Sequence, residues 1–373
     1  MVLDQYEKDD MEKYWLWLCS VPGLYCRQIR LLVTYFGTPK QVYEASEEEF
    51  EVWRRKSIKW IDNLLDYRKK YAVDEVCHMV EQKGINFISW QQERFPEKLK
   101  RLSDCPAGLF FRGRLPDTDR ISVAIVGARQ CSNYGRVMAR ELSSALARAG
   151  VQVISGLASG VDGYAQEAAA DAGGSSFGVL GCGADICYPR ENLSVYLKIQ
   201  EKGGILSEFP LGTQPMKHHF PLRNRIISGL ADAVVVVEAR EKSGSLITAD
   251  LALEQGKDVY AVPGRNKDAL SYGCNRLISQ GAGIVLSTEN LLEQLHVAAT
   301  GKDRTSNFIK KNQLVLAPEE KWVYSNLDLL PESLEEISEK TDMSPGKLCS
   351  ILLRLELLGL VSEMAKNQYV RLK

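Results

Sequence analysis

The sequence predicts an α/β protein: a Rossmann-like, doubly wound, mostly parallel sheet, preceded by a small helical unit and followed by a winged helix. Three observations carry this. Between residues 76 and 298, short β-branched runs apolar on both faces alternate with helical stretches, as strands covered by two layers of helices must. Ahead of them, aromatic and aliphatic residues recur at three- and four-residue spacing. Beyond residue 317 the pattern reads helix, helix, turn, helix and two short strands.

Taken in order, residues 1–75 place Tyr14, Trp17, Leu18, Ile29, Leu32, Val33 and Phe36 at helical spacing, broken by "VPGL" and "FGTP". The stretch "VPGLYCRQIRLLVTYFG" reads as a SAM or helix-hairpin-helix type of unit, whose hairpin amides can meet a phosphate. The acidic "ASEEEFE" behind it favours scaffolding or protein contact instead. In residues 76–298 the strands are "SVAIVG", "VQVIS", "SFGVLG", "GILSEF", "AVVVVEA", "DVYAVPG" and "GIVLS". Residues 299–317 are polar, without clear period, and read as a linker. Residues 318–373 form the winged helix. There the Asp and Glu residues outnumber Lys and Arg by 10 to 7, and the helix from Ser344 to Leu358 offers only Lys347 and Arg354 as cations. Duplex readout needs more positive charge than that, so partner docking or regulation is the expected role.

Composition excludes several classes. The formal net charge of −1 rules out a wholly basic nucleic-acid coat, so a polyanion must be met by local patches. No run approaches about 18 apolar residues and the start carries no basic leader, which predicts a cytoplasmic protein without a membrane span. Nine scattered cysteines, with no C-x-x-C pair, fit reduced thiols; Cys182 and Cys187 read as core or loop residues. His218 and His219 are adjacent and would point to opposite sides of an extended segment, while His78 and His296 lie elsewhere; no metal site is expected.

The chemistry-bearing residues gather at strand ends. Four glycine-containing turns, "IVGARQCSNYG", "ISGLASGVDGYA", "LGCGADICYP" and "EAREKSGSLITA", can bring backbone N–H groups and helix N-termini close to an anion. Gly127 is followed by Ala128 and Arg129 rather than a second glycine, so the dinucleotide fingerprint fails, and no turn supplies a Walker loop. Asp162, Glu208 and Glu238 sit where a general base could sit, but none is paired with a nucleophile; capping and turn hydrogen bonds explain them better. Ahead of the "AVVVVEA" strand, "MKHHFPLRNRIISGL" interleaves cations with the Phe220 ring and the Asn224 amide. Cations along a backbone plus a flat ring for a base suit single-stranded nucleic acid.

The segments "GARQCSNYG", "SGLASGVDGYAQEAA", "GCGADICYPRENLSVYLKI", "GGILSEFPLGTQPMKHHFPLRNRIISGLADAVVVVEA", "SGSLITADLALEQGKDVYAVPG" and "GCNRLISQGAGIV" resemble, in order and spacing, the DprA/Smf family of DNA-processing proteins. The resemblance runs from about 90 to 298, and the flanking units suit the family's three-domain form. It implies a dimeric protein without catalysis or cofactor that binds and protects single-stranded DNA and helps load the RecA recombinase during natural transformation. By motif, Gly127, Arg129 and Ser132 would hold phosphates at the first turn, with Ser155 and Gly156 lining the second. Lys217, Phe220, Arg223, Asn224 and Arg225 would hold backbone and base, and Gly244, Ser245 and Thr248 would close the pocket. Ala128 and Gln166 depart from the family pattern, which often has serine and histidine there. The rival is a Rossmann-like enzyme acting on a small nucleotide, but the turn in "SGSLITADLALEQG" lacks the glycine-rich, acid-bearing motif of a phosphoribohydrolase.

Overall fold

A computed structural model describes residues 2–54, 59–297 and 316–372. The apolar runs become β3 (Ser122–Val126), β4 (Gln152–Ser155), β5 (Ser176–Val179), β6 (Gly204–Ser207), β7 (Ala233–Val236), β8 (Asp258–Ala261) and β9 (Gly283–Ile284). Two strands not named from the sequence, β1 (Asn86–Ser89) and β2 (Gly108–Gly113), extend the sheet on one edge. Its order is β1-β2-β6-β5-β4-β3-β7-β8-β9. The strands from β6 to β9 run parallel, while β1 and β2 pair antiparallel, to each other and to β6. Sequence order reverses direction between β3 and β7, which opens a crevice at their carboxyl ends.

Both faces of the sheet are covered. In β3, Val123 and Ile125 pack with Leu142, Leu146 and Ala165, from the helices Asn133–Arg148 and Val161–Asp171. Ala124 and Val126, on the opposite side of the pleat, pack with Ile226, Leu230 and Ala249, from the helices His219–Leu230 and Gly244–Glu254. This two-sided burial is why the strands read as continuous apolar runs.

The N-terminal helices enclose a separate core around Trp15, Trp17, Leu18, Phe50 and Leu64. That core also takes in Val76 and Val80 of the helix Val73–Gln82, and Phe110 of β2. The helical unit therefore runs past residue 75 and shares its interior with the sheet's antiparallel edge. Its "VPGL" hairpin turns through Gly23 (φ 79°) into the helix Cys26–Phe36.

The linker expected at 299–317 lies outside the described residues except for its last two. Beyond it, the helices Pro318–Asn326, Leu334–Thr341 and Pro345–Leu357 pack with a small antiparallel sheet of β10 (Glu332–Ser333), β11 (Val361–Ala365) and β12 (Gln368–Arg371). This is the winged helix. It meets the large domain where the Asn133 amide donates to the Arg371 carbonyl at 2.6 Å, and where Arg265 approaches Asp328 at 3.7 Å.

Charged groups also tie the helical unit to the sheet. Arg30 donates to the carbonyls of Ser103 and Cys105 at 2.9 and 3.0 Å. Arg225 reaches both oxygens of Glu208, whose side chain is 10% exposed, at 2.6 and 2.7 Å, and Asp104 at 3.0 Å. Burial pulls the Arg225 guanidinium down, but Glu208, Cys26 and Asp104 together outweigh it and the pKa ends above the ordinary arginine value.

Removing one partner of such a pair leaves an uncompensated buried charge. Arg225→Ala is therefore expected to destabilise the protein by about 3–5 kcal/mol in urea unfolding, and adding Glu208→Gln should recover part of that loss. A loss below about 1 kcal/mol would mean that the pair behaves like a solvated one.

Candidate nucleic-acid interface

The stretch "MKHHFPLRNRIISGL" is mostly helical rather than extended: a turn through Lys217 leads into His219–Leu230, with Pro221 in the first turn where its missing N–H costs no intrahelical bond. Helical period then sorts the cluster. Phe220, Arg223, Asn224 and Ile227 share one face and line a cleft of about 690 Å³ outside the carboxyl ends of β3 and β7. Arg225 points the other way, into its ion pair with Glu208. It lies outside the cleft, because a residue five positions after Phe220 comes around to the far side of the helix.

Cations and a ring meet at the cleft mouth. The Arg129 guanidinium lies 5.0 Å from the Phe220 ring centroid and that of Arg223 lies 5.9 Å from it, both within cation–π range. Tyr188 stands 5.8 Å away, centroid to centroid, and is itself exposed. Arg129 and Lys217 are exposed, while Phe220 is half-buried. Across the cleft the helix Gly244–Glu254 begins, with the Ser243 hydroxyl accepting from the Ser245 amide at 3.4 Å. Gly244 is open to solvent, Ser245 and Thr248 line the wall, and Gly127 supplies part of the floor. Asn224 donates to the Gly244 carbonyl at 3.3 Å, joining the two walls.

Arg223 is the deepest charge. Its side chain is buried, donates to the Val179 carbonyl, and leaves Nε without a hydrogen-bond partner among the described residues. Burial lowers its pKa to about 10 against the attraction of Asp162, so it remains charged at neutral pH. Gly156 makes this seat possible. A Cβ there would come within 2.4 Å of Arg223 Nη1 and 2.7 Å of Asp162 Oδ2. The Gly156 amide donates to Asp162 at 3.0 Å, and burial pushes that carboxyl above its ordinary value.

Several residues expected to touch a phosphate are otherwise engaged. The Ser155 hydroxyl donates to the Ile125 carbonyl at 2.6 Å inside the sheet. Gly156 lies beneath Arg223 and borders a small side recess rather than the main cleft. Ser132 caps the helix Asn133–Arg148, and its amide and hydroxyl both donate to Glu238, at 2.9 and 2.5 Å. Glu238 fits there because Gly135 has no Cβ; one would lie 2.3 Å from Glu238 Oε2. An internal carboxylate thus occupies the helix N-terminus assigned to a phosphate. Gln166 is also internal, accepting from the Leu157 amide at 2.9 Å and so holding Leu157 at its positive φ of 52°.

Among the cleft residues not singled out from the sequence are one ring and one cation, Tyr188 and Lys242. Both lie in turns already identified as anion cradles, and an aromatic or cationic side chain within such a turn was the available signal. Among the described residues no cluster of His, Cys, Asp or Glu is arranged to hold a metal ion, and no helix is long and apolar enough to cross a membrane.

Residues 86–296 match the family model described as DNA recombination-mediator protein A, and residues 311–365 match that of the DprA winged helix domain. The Escherichia coli (strain K12) protein Smf is 33% identical over 362 residues, covering 96% of this chain and 95% of that protein. The DNA processing protein DprA of Bacillus subtilis is 43% identical over 215 residues, which is 57% of this chain and 72% of that one. Among solved structures, Streptococcus pneumoniae DNA processing protein A superposes with a TM-score of 0.64 at 31% identity, covering 75% of this chain and 97% of its own. Helicobacter pylori DNA processing protein A, whose structure concerns its single-stranded DNA binding mode, gives a TM-score of 0.51 at 32% identity, covering 57% and 97%.

The internal carboxylate makes a pH prediction. Burial raises the Glu238 carboxyl above its ordinary value of 4.5, against the hydrogen bonds from Ser132. The folded state therefore binds this proton more readily than the unfolded one, and the group's contribution to stability falls as pH rises from about 4.5 through the raised folded value. Urea titrations across that window should show a smaller decline with pH in Glu238→Gln than in the parent. Parallel slopes would show that Glu238 is effectively solvated.

Proposed function

Since the chain belongs to the DprA/Smf family of DNA-processing proteins, we propose that it binds and shields single-stranded DNA in the strand-end cleft and helps place RecA recombinase on it during natural transformation, in the cytoplasm. The observation that carries this reading is the Phe220 ring at the mouth of the cleft, with the Arg129 and Arg223 guanidinium groups 5.0 and 5.9 Å from its centroid. A ring offers a stacking face to any base and the cations meet the backbone, so affinity needs little sequence preference.

Each lining residue takes a role in this reading. Lys217 and Arg129, both exposed, meet phosphates first. Arg223, set deeper in the cleft wall, anchors a phosphate through its guanidinium. Asn224, Ser245 and Thr248 offer hydrogen bonds to a base or sugar, while Gly127 and Gly244 allow close approach of the backbone. Arg225, Ser132, Ser155 and Gly156 support this arrangement from behind. The reading includes no chemical step, since Asp162, Glu208 and Glu238 are each committed to internal donors. It includes a homodimer formed through the sheet domain; the two-residue β9 edge, with Leu286 exposed beside it, suits such pairing.

The winged helix takes a docking or regulatory role. Lys347 and Arg354 on the helix Pro345–Leu357 are paired with Glu319 and Glu320 of the domain's first helix, and the exposed face carries Leu353 and Leu357. Charges already neutralised within the domain are poorly placed to release counterions from DNA.

Two measurements test these assignments. Lys217→Ala should weaken binding to every sequence and flatten the dependence of affinity on salt. Phe220→Ala should cost about 1–3 kcal/mol and leave that dependence nearly unchanged. A folded Phe220→Ala protein with parental affinity would remove the stacking platform from the model. Deleting residues 318–373 should cost less than about tenfold, or about 1.4 kcal/mol, in single-strand affinity. A larger loss from a folded dimer would make the winged helix a DNA reader.

A further inference from the structure

The cleft opens on one side onto a rim of cations. β7 and β8 are parallel neighbours, so the loops that follow them emerge side by side at the same end of the sheet. They are hydrogen-bonded together: the Ala239 amide donates to the Leu270 carbonyl at 2.8 Å, and the Gly273 amide to the Ala239 carbonyl at 2.7 Å. One loop exposes Arg240 and Lys242, the other Arg265 and Lys267. Lys242 already lines the cleft, so the rim is continuous with it.

These cations are open to a ligand. Among the described residues Arg240, Lys242 and Lys267 make no ion pair, and Arg265 has only its exposed 3.7 Å approach to Asp328. Of the acids at 240–242 and 265–268, Asp268 turns inward to accept from the Leu270 amide at 3.0 Å, leaving Glu241 opposite four cations. Neighbouring strands lie about 4.8 Å apart, so the line from β3 across β7 to β8 spans roughly 10 Å. A strand seated in the cleft needs only a few further nucleotides to cross it.

We infer that the β7 and β8 loops form a second segment of the single-strand path, carrying the phosphate backbone from the cleft past Arg240, Lys242 and Lys267 to Arg265 at the winged-helix junction. This rests on the reading of the cleft as a single-strand site. The segment recognises phosphate alone, since no aromatic side chain stands on the 240–242 or 265–268 stretch. At its far end a phosphate and Asp328 compete for Arg265, so a strand long enough to reach the junction loosens that contact and leaves the winged helix held by the Asn133 amide on the Leu329 and Arg371 carbonyls.

The test compares homopyrimidine oligonucleotides of about 6 and about 20 nucleotides, binding to the full chain by fluorescence anisotropy at several salt concentrations. Arg240→Ala combined with Lys267→Ala should weaken the long strand about tenfold and lower its salt slope by about 0.7 per lost contact, while leaving the short strand unchanged. Lys321→Ala with Lys366→Ala, two exposed cations of the winged helix, should change neither. An unaltered long strand, or equal losses for both lengths, would overturn the rim as a path while leaving the cleft intact. Failure of the parent protein to bind either strand would instead overturn the cleft reading, and this inference with it.

Discussion

The ion pair of Arg225 with Glu208, joined by Asp104, fixes the rotation of the helix His219–Leu230 over the sheet. Its apolar contacts, Ile226 and Leu230 against Ala124 and Val234, are adaptable surfaces that would tolerate a few degrees of turning. A guanidinium bonded to both oxygens of one carboxylate is far less tolerant. Desolvation consumes most of what such a pair gains in attraction, so its effect lies less in added stability than in selecting one orientation. That orientation puts Phe220 and Arg223 in the cleft. Because Asp104 lies in the same segment as Ser103 and Cys105, whose carbonyls Arg30 holds, the helical unit is coupled to the rotation of the same helix.

The sheet was legible in the sequence because both its faces are buried, which makes each strand a short unbroken apolar run between glycine turns. β1 and β2 were not, since "NFIS" and "GLFFRG" mix exposed with buried positions at an edge. The cleft was legible as a composition but not as a geometry. Arg223 and Arg225 are indistinguishable in a list of cations, and only the phase of a helix, which the sequence reading did not assign to them, sends one to the cleft and the other to Glu208. Ser132 failed for a different reason. Its turn has the makeup of an anion site, and the anion it holds is Glu238, more than one hundred residues away in the chain. Long-range pairing of that kind leaves no local pattern to read.

The flanking domains divide their labour by how they use charge. The helical unit commits Arg30 to backbone carbonyls of the neighbouring sheet domain, those of Ser103 and Cys105. The winged helix spends its helix cations on its own glutamates and keeps apolar side chains outward. The carboxyl end of the sheet instead keeps Arg129, Lys217, Arg240, Lys242, Arg265 and Lys267 exposed, a local basic patch in a chain that is nearly neutral in sum.

Filling strand-end turns with the protein's own carboxylates has a consequence for selectivity amid the cell's free nucleotides. A mononucleotide or nucleoside triphosphate binds tightly when several backbone amides and a helix N-terminus converge on one compact cluster of charge. Here Glu238 already holds one such terminus and Asp162 one such amide, so neither of those two turns offers an amide-rich socket to a soluble metabolite. What is left is a spread of side-chain cations suited to charges strung along a chain. A polymer engages them together, each contact raising the effective concentration of the next, whereas a monomer can satisfy only one at a time. On the proposed reading of the cleft as a single-strand site, it discriminates by connectivity, and an abundant nucleotide pool competes poorly for it.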